Sequence, residues 1–388
     1  MQAIIDAARD MESVLVADRR HLHANPEIGH DLPDTVAYVT GRLQAMGIEA
    51  RETGNSGIVA CLGKPGRTLL LRADMDALSM WEQTDLPFRS LNGFGHGCGH
   101  DLHTAMLLGA AAILKRQEGE LEGTVKLMFE PAEELGTGAR AMMDAGLMDD
   151  PKVDAALALH VASYLNPGVV VLASGTVFAS HDGFDVTIQG QGGHSSMPSV
   201  LVDPLRIANT IHMILNCLVE KWVDPFETAV LNIGTLGGGT ANNIIPDTAV
   251  LAGGLRCYNK ETRDRLVPKV YEIIAAVTRL LGGTCTMETT YVPILSNDAG
   301  LGRSLQPSIR EVVGAEQFYL YERALPGTED FAFIAQQVPA LFLTLGAGSV
   351  DGYPHHNPNV LFDERALATG AALYANCAFE WLRLSRTP

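Results

Sequence analysis

The chain has 388 residues, 47% of them apolar, and a formal net charge of −17 at pH 7. That length suffices for two ordinary domains with a sizeable core, and the charge argues against non-specific nucleic-acid binding, which relies on basic patches. No run reaches the roughly 18 consecutive apolar residues of a membrane-spanning helix. Met1 to Arg20 carries Asp6, Asp10, Glu12 and Asp18 and no apolar stretch of a secretory leader. Cys61, Cys98, Cys217, Cys257, Cys285 and Cys377 are scattered along the chain. Free thiols, no membrane partner and cytoplasmic residence are therefore expected.

Residues 2–46 read as helical at both ends, broken at His23-Ala24-Asn25-Pro26-Glu27, where Pro26 turns Asn25 away from the helix. Strand-like runs follow at 58–62 and 68–72. The second leads into Ala73-Asp74-Met75-Asp76, the kind of position where an α/β sheet presents functional groups. Residues 104–116 are an Ala/Leu-rich helix. Residues 123–129 form a strand that runs straight into Glu130-Pro131-Ala132-Glu133-Glu134. A helix over 138–145 and a buried strand over 155–160 complete an alternation that predicts an α/β class. Its sheet is mainly parallel, with helices on both faces.

The character changes near Ser180. Residues 183–190 alternate as a half-exposed strand does. A helix from 204 to about 219, strands at 229–233 and 249–256, a helix at 260–281 and a strand at 285–291 describe a small α+β sandwich. Helix–strand alternation resumes at Leu301. The expected organisation is a main domain split into 1–180 and 294–388, with an insert at 181–293.

The chemistry concentrates in Gly95-His96-Gly97-Cys98-Gly99-His100-Asp101-Leu102-His103 and in the adjacent glutamates Glu133 and Glu134. Thiolate, imidazole and carboxylate are the ligand types of zinc-like sites, and catalytic sites keep a position open for water. Cys98, His100, Glu133 or Glu134, His160 and His356 are the candidate ligands, each placed where an element should end. A structural zinc finger would want a second cysteine pair at short spacing, which is absent.

Ordered motifs along the chain resemble metallopeptidase family M20, in its amidohydrolase branch of hippurate hydrolases, N-acyl-amino-acid amidohydrolases and auxin-conjugate hydrolases. They are Arg19-Arg20-His21-Leu22-His23-Ala24-Asn25-Pro26-Glu27, Ala73-Asp74-Met75-Asp76-Ala77-Leu78, Cys98-Gly99-His100-Asp101-Leu102-His103, Pro131-Ala132-Glu133-Glu134, His160-Val161, Gly192-Gly193-His194-Ser195, Asn243-Ile244-Ile245-Pro246-Asp247, Glu329-Asp330-Phe331 and His356-Asn357-Pro358. Two departures lie beside the candidate site: His96-Gly97 precedes Cys98, and Leu135 follows the glutamates.

The resemblance implies the fold of metal-dependent exopeptidases, the insert acting as a dimerisation and lid domain. It implies two divalent metal ions (Zn, Mn, Ni or Co), with Cys98 shared and His100, Glu134, His160 and His356 completing the ligands. In other branches a histidine stands where Asp74 stands here. Asp76 resembles an aspartate that orients the site, and the His-Asn-Pro pattern selects His356 over His355. Glu133 is then the general base. His194 is the candidate donor to the developing oxyanion, reaching the partner's site in a homodimer or higher homo-oligomer. Asn243 and Arg256 resemble substrate-contacting residues, Arg256 being suited to a carboxylate. The implied reaction is hydrolysis of a small N-acyl amino acid to a carboxylic acid and an amino acid. The alternatives are a dipeptidase or carboxypeptidase of the same family and, from a different class, a non-catalytic metal- or ligand-binding protein on this scaffold.

Overall fold

Two strands, Thr68–Asp74 and Thr124–Glu130, are buried at all seven of their positions, which requires cover on both faces. The computed structural model describes residues 2–384. Its principal strands in chain order begin with β1 (Ala50–Thr53), β2 (Gly57–Gly63), β3 (Thr68–Asp74), β4 (Thr124–Glu130), β5 (Ala155–Ala162) and β6 (Val170–Ala173). They continue with β7 (His181–Gln189), β8 (Ala229–Gly238), β9 (Thr248–Cys257), β10 (Thr284–Val292), β11 (Phe318–Tyr321) and β12 (Ala340–Gly346).

Eight of these strands form one sheet in the order β1-β2-β4-β3-β5-β12-β6-β11. Its centre, β4-β3-β5-β12, is parallel, while β1–β2, β2–β4 and β12–β6 pair antiparallel. The α/β class with a mainly parallel sheet is borne out. Helices His100–Arg116 and Ala366–Leu384 pack on each other and against β3; Gly138–Asp144 packs against β4 and Ala332–Ala335 against β12. His100–Arg116 is buried at every residue from His100 to Leu114, so its Ala/Leu composition is that of a core helix. No helix among the described residues is long and apolar enough to cross a membrane.

Lys126 of β4 is fully buried. Its ammonium donates to the carbonyls of Leu147, Asp149 and Pro151 at 2.8, 2.8 and 2.6 Å. A buried charge needs such partners, and here they fix the chain that leads from helix Gly138–Asp144 to β5.

The chain divides into two compact units. The second comprises Phe178–Leu295 together with Ala324–Thr328. Segment 324–328, expected in the second part of the main domain, lies with this unit. Two contacts hold this segment to the second unit: Phe178 bridges Leu325, and the Arg256 guanidinium donates to Pro326 O at 3.3 Å and Thr328 Oγ1 at 3.4 Å. Within this unit, β8-β9-β7-β10 form an antiparallel sheet. Its core joins Phe184, Val186, Ile188 and Leu251 to Ile207 and Ile211 of helix Pro204–Asn216 and to Leu266 and Ile274 of helix Lys260–Leu280. Asp203 caps the first helix and Asn259 the second, each accepting two backbone N–H bonds.

Candidate metal centre

The candidate residues of the first unit converge from five places in the chain. Asp76 follows β3, Cys98 and His100 lie at the start of helix His100–Arg116, and Glu133 and Glu134 form a short 3₁₀ turn after β4. His160 is on β5, and His356 is in the loop after β12. The helix begins at His100, four residues earlier than the apolar pattern indicated, so His100, Asp101 and His103 all fall on its first turn. Gly99 makes this start possible. Its φ is +88°, and a Cβ there would meet Val161 Cγ2 at 2.4 Å. Gly99→Ala is expected to destabilise the protein by about 2 kcal/mol or more and to lower its metal content. Urea denaturation with metal analysis of the purified variant checks both.

Among the described residues five sets of ligand atoms each lie within 4.8 Å of one another, and three are built from the candidates alone: Cys98, His100 and His160; Cys98, Glu134 and His356; and His100, Glu133 and Glu134. Cys98 Sγ is 3.5 Å from His160 Nε2, and His356 Nε2 is 3.3 Å from Glu134 Oε1. Ligands bound at about 2.0–2.3 Å around a tetrahedral ion lie at comparable separations. The ring nitrogens are presented for it. His100 Nδ1 donates to the Asp76 carbonyl at 2.8 Å and His160 Nδ1 to the Val161 carbonyl at 2.7 Å, which leaves each Nε2 with its lone pair. His100 Nε2 is buried without a hydrogen-bond partner. Buried polar atoms are rarely left so, and a cation would satisfy it; the donor set therefore fits divalent metal.

Asp76 supports the pair of glutamates from behind. Its Oδ1 accepts from the backbone N–H of Glu133 at 3.1 Å and its Oδ2 from that of Glu134 at 3.3 Å. Ala132, just before the turn, and His356 both have positive φ, 55° and 62°, which is uncommon outside glycine. The His356 backbone is held there by its N–H bond to Gly97 O at 2.9 Å.

Electrostatics separate the two glutamates in the metal-free protein. Burial, reinforced by Glu329, pushes the Glu133 carboxyl well above the usual range. Burial also raises Glu134, but His356 and His100 outweigh it and its pKa falls below the usual value. Hydrogen bonding to Cys98 and Glu134 lifts His356 to about 10.

Two features escaped the sequence reading. The first is a buried cluster behind the site. The Arg72 guanidinium donates to Asp74 at 2.8 Å, to Glu329 at 2.8 and 3.3 Å and to Glu130, and Asp330 lies 3.5 Å away. Asp74 also takes the Nδ1 proton of His103 at 2.5 Å, while His103 Nε2 accepts from Val161 N–H at 2.8 Å. Asp74 and His103 are thus committed to other partners. The available signal was a lone arginine in the apolar run Leu69-Leu70-Leu71-Arg72, since a charge in a buried strand must be paired. The second is the place of His355, weighed against His356 and set aside as a ligand: its Nδ1 lies 3.6 Å from Cys98 Sγ.

The remaining candidates lie in the second unit. His194 is exposed and accepts at Nδ1 from Ser196 N and Oγ at 3.2 and 2.8 Å. It pairs with Ile244, beside Asn243, whose carbonyl accepts from Ser195 N–H at 3.1 Å. Arg256 lies on β9, tied to Pro326 and Thr328 as described.

Residues 70–380 match the family model for peptidase family M20/M25/M40. The chain belongs to this family. The M20 chain is 32% identical to thermostable carboxypeptidase 2 of Saccharolobus solfataricus, covering 96% of each. It is 34% identical to the IAA-amino acid hydrolase ILR1-like 4 of Arabidopsis thaliana, over 95% of this chain and 86% of that one. With an N-acetyl-L-cysteine deacetylase of Bacillus subtilis it shares 34% identity over 92% and 85% of the two chains. Its fold matches the crystal structure of a dinuclear metal binding M20 peptidase of B. subtilis with a TM-score of 0.80 and 29% identity, covering 97% and 99%. The M20 chain is accordingly a metal-dependent hydrolase acting on amides.

Proposed function

We propose that the protein cleaves the amide bond of N-acyl amino acids, hippurate-like compounds among them, with two divalent cations held by Cys98, His100, Glu134, His160 and His356. The observation that carries this reading is the shared position of Cys98 Sγ, which belongs to two separate donor triads, one with His100 and His160 and one with Glu134 and His356. A thiolate carries the negative charge that two neighbouring cations need. Bound there, the cations would acidify a water and polarise the scissile carbonyl.

The chain's own residues supply the rest. Glu133, whose proton affinity is raised by burial, takes as a carboxylate the proton of the attacking water and passes it to the leaving nitrogen. Asp76 holds both glutamates in register through their N–H groups. His194 is assigned as donor to the developing oxyanion, and Asn243 and Arg256 as contacts to the substrate, Arg256 to its carboxylate. Assembly as a homodimer belongs to the same reading, supported by the edge strand β8 with Val230 and Leu236 exposed. Cytoplasmic residence is supported by six cysteines without a disulfide.

A carboxypeptidase reading has the S. solfataricus relative in its favour. A panel of N-benzoylglycine, N-acetyl amino acids, dipeptides and blocked peptides decides between them. The expected result is hydrolysis of the acyl amino acids, abolished by chelator and restored by Zn, Mn, Co or Ni. Preference for peptides would replace this reading with the carboxypeptidase one; metal uptake without cleavage of any amide would make the protein a binder.

A further inference from the structure

His355 sits beside a candidate ligand yet has no part in the mechanism above. Its ring orientation is fixed by an unambiguous bond: the backbone N–H of Ser163 donates to His355 Nε2 at 3.0 Å. Nε2 is therefore the acceptor, and the ring proton resides on Nδ1. That nitrogen lies 3.6 Å from Cys98 Sγ, within hydrogen-bonding reach of sulfur. The ring is caged by Phe362, edge-on with centroids 5.4 Å apart, by His160 at 5.4 Å and by Tyr164 at 6.2 Å. Ser163 is itself pinned, its carbonyl accepting from Ser349 N–H at 3.0 Å.

The contrast with His100 and His160 is informative. Each of those spends its Nδ1 proton on a carbonyl and turns a bare Nε2 inward. His355 spends its lone pair on Ser163 and turns a proton toward the sulfur. It is thus arranged as a donor to the thiolate rather than as a metal ligand. Groups that hydrogen-bond metal ligands orient them and tune their electron donation, and hydrogen bonds to metal-bound sulfur act in the same way in iron–sulfur proteins.

We propose that His355 is a positioning residue that donates its Nδ1 proton to the Cys98 sulfur, holding the thiolate between the two donor triads and tempering its donation to bound metal. The inference rests on the reading of Cys98 as a ligand. The test uses the full chain loaded with cobalt(II), whose sulfur-to-metal charge-transfer band in the near ultraviolet reports on the thiolate directly. His355→Phe removes the donor and keeps an aromatic ring; His355→Leu is a second donor-free variant should the larger ring not be accommodated. His355→Asn offers an amide N–H near the position of Nδ1.

The expected result is a shift of the band to longer wavelength in the donor-free variants, because an unbonded thiolate gives up charge more readily. Metal affinity, measured against a competing chelator, falls roughly 10-fold, with two metals still bound at saturation. His355→Asn restores both band and affinity. A band and affinity unchanged in the donor-free variants overturn the proposal, and loss of one metal equivalent overturns it by making His355 a ligand. A wild-type spectrum without any sulfur band instead overturns the ligand reading of Cys98 and this proposal with it.

Discussion

Glu133→Gln is expected to lower kcat by roughly 10²–10⁴-fold, the scale of a positioned general base, while two metals remain bound. Glutamine preserves size and leaves the backbone bond from residue 133 to Asp76 untouched, but it cannot take a proton. The separation of roles between the glutamates is what the variant tests. Glu134 Oε1 faces His356 and His100, whereas Glu133 faces His100 and the buried Glu329. Metal analysis alongside single-turnover kinetics checks it. Full activity would remove Glu133 from the mechanism, and loss of a metal would make it a ligand.

The largest effect on stability is expected from Arg72→Met. One guanidinium, fully buried, is shared among four carboxyl groups: Asp74, Glu130, Glu329 and Asp330. Breaking a buried ion pair by removing one partner costs about 3–5 kcal/mol, and here several carboxylates lose their partner at once. Urea denaturation of the metal-free proteins measures the difference. Its pH dependence has a definite sign. Burial raises the Glu329 carboxyl to about 7, even though Arg72 pulls it down. An acid with a raised folded pKa favours the folded state when protonated, and its contribution is lost as pH rises from the unfolded value, about 4.3, through the folded one. The stability gap between the variant and the parent should therefore widen from pH 5 to pH 8. A gap independent of pH would show that the arginine acts through packing alone.

Cys98, His100, Glu133, Glu134, His160 and His356 could be read from the sequence because each combines a ligand-competent side chain with a predicted element end. In the parallel centre of the sheet those ends gather on one side. The arginine cluster was not readable in the same way. Its members come from positions 72, 74, 130, 329 and 330, and nothing local in Glu329-Asp330 says that these carboxylates point inward at a strand from the other end of the chain. His355 and His356 differ by one residue, so composition cannot rank them. What distinguishes them is which backbone group each meets: Ser163 N–H takes the lone pair of one, and Gly97 O holds the main chain of the other. Segment 324–328 groups with the second unit for a related reason, through a bridge from Phe178 to Leu325 and the side chain of a distant arginine, Arg256.

The strand order has a consequence for biosynthesis. β12 lies between β5 and β6, both synthesised well before it. Until Ala340–Gly346 emerges from the ribosome, the nascent sheet carries an open slot. Its walls are the unpaired edges of two apolar strands, the kind of surface that recruits foreign strands. The central sheet, and the loop bearing His356 that follows β12, are therefore completed only once Ala340–Gly346 has been made, and a chain cut short before Ala340 is expected to engage chaperones rather than to act as a slower enzyme.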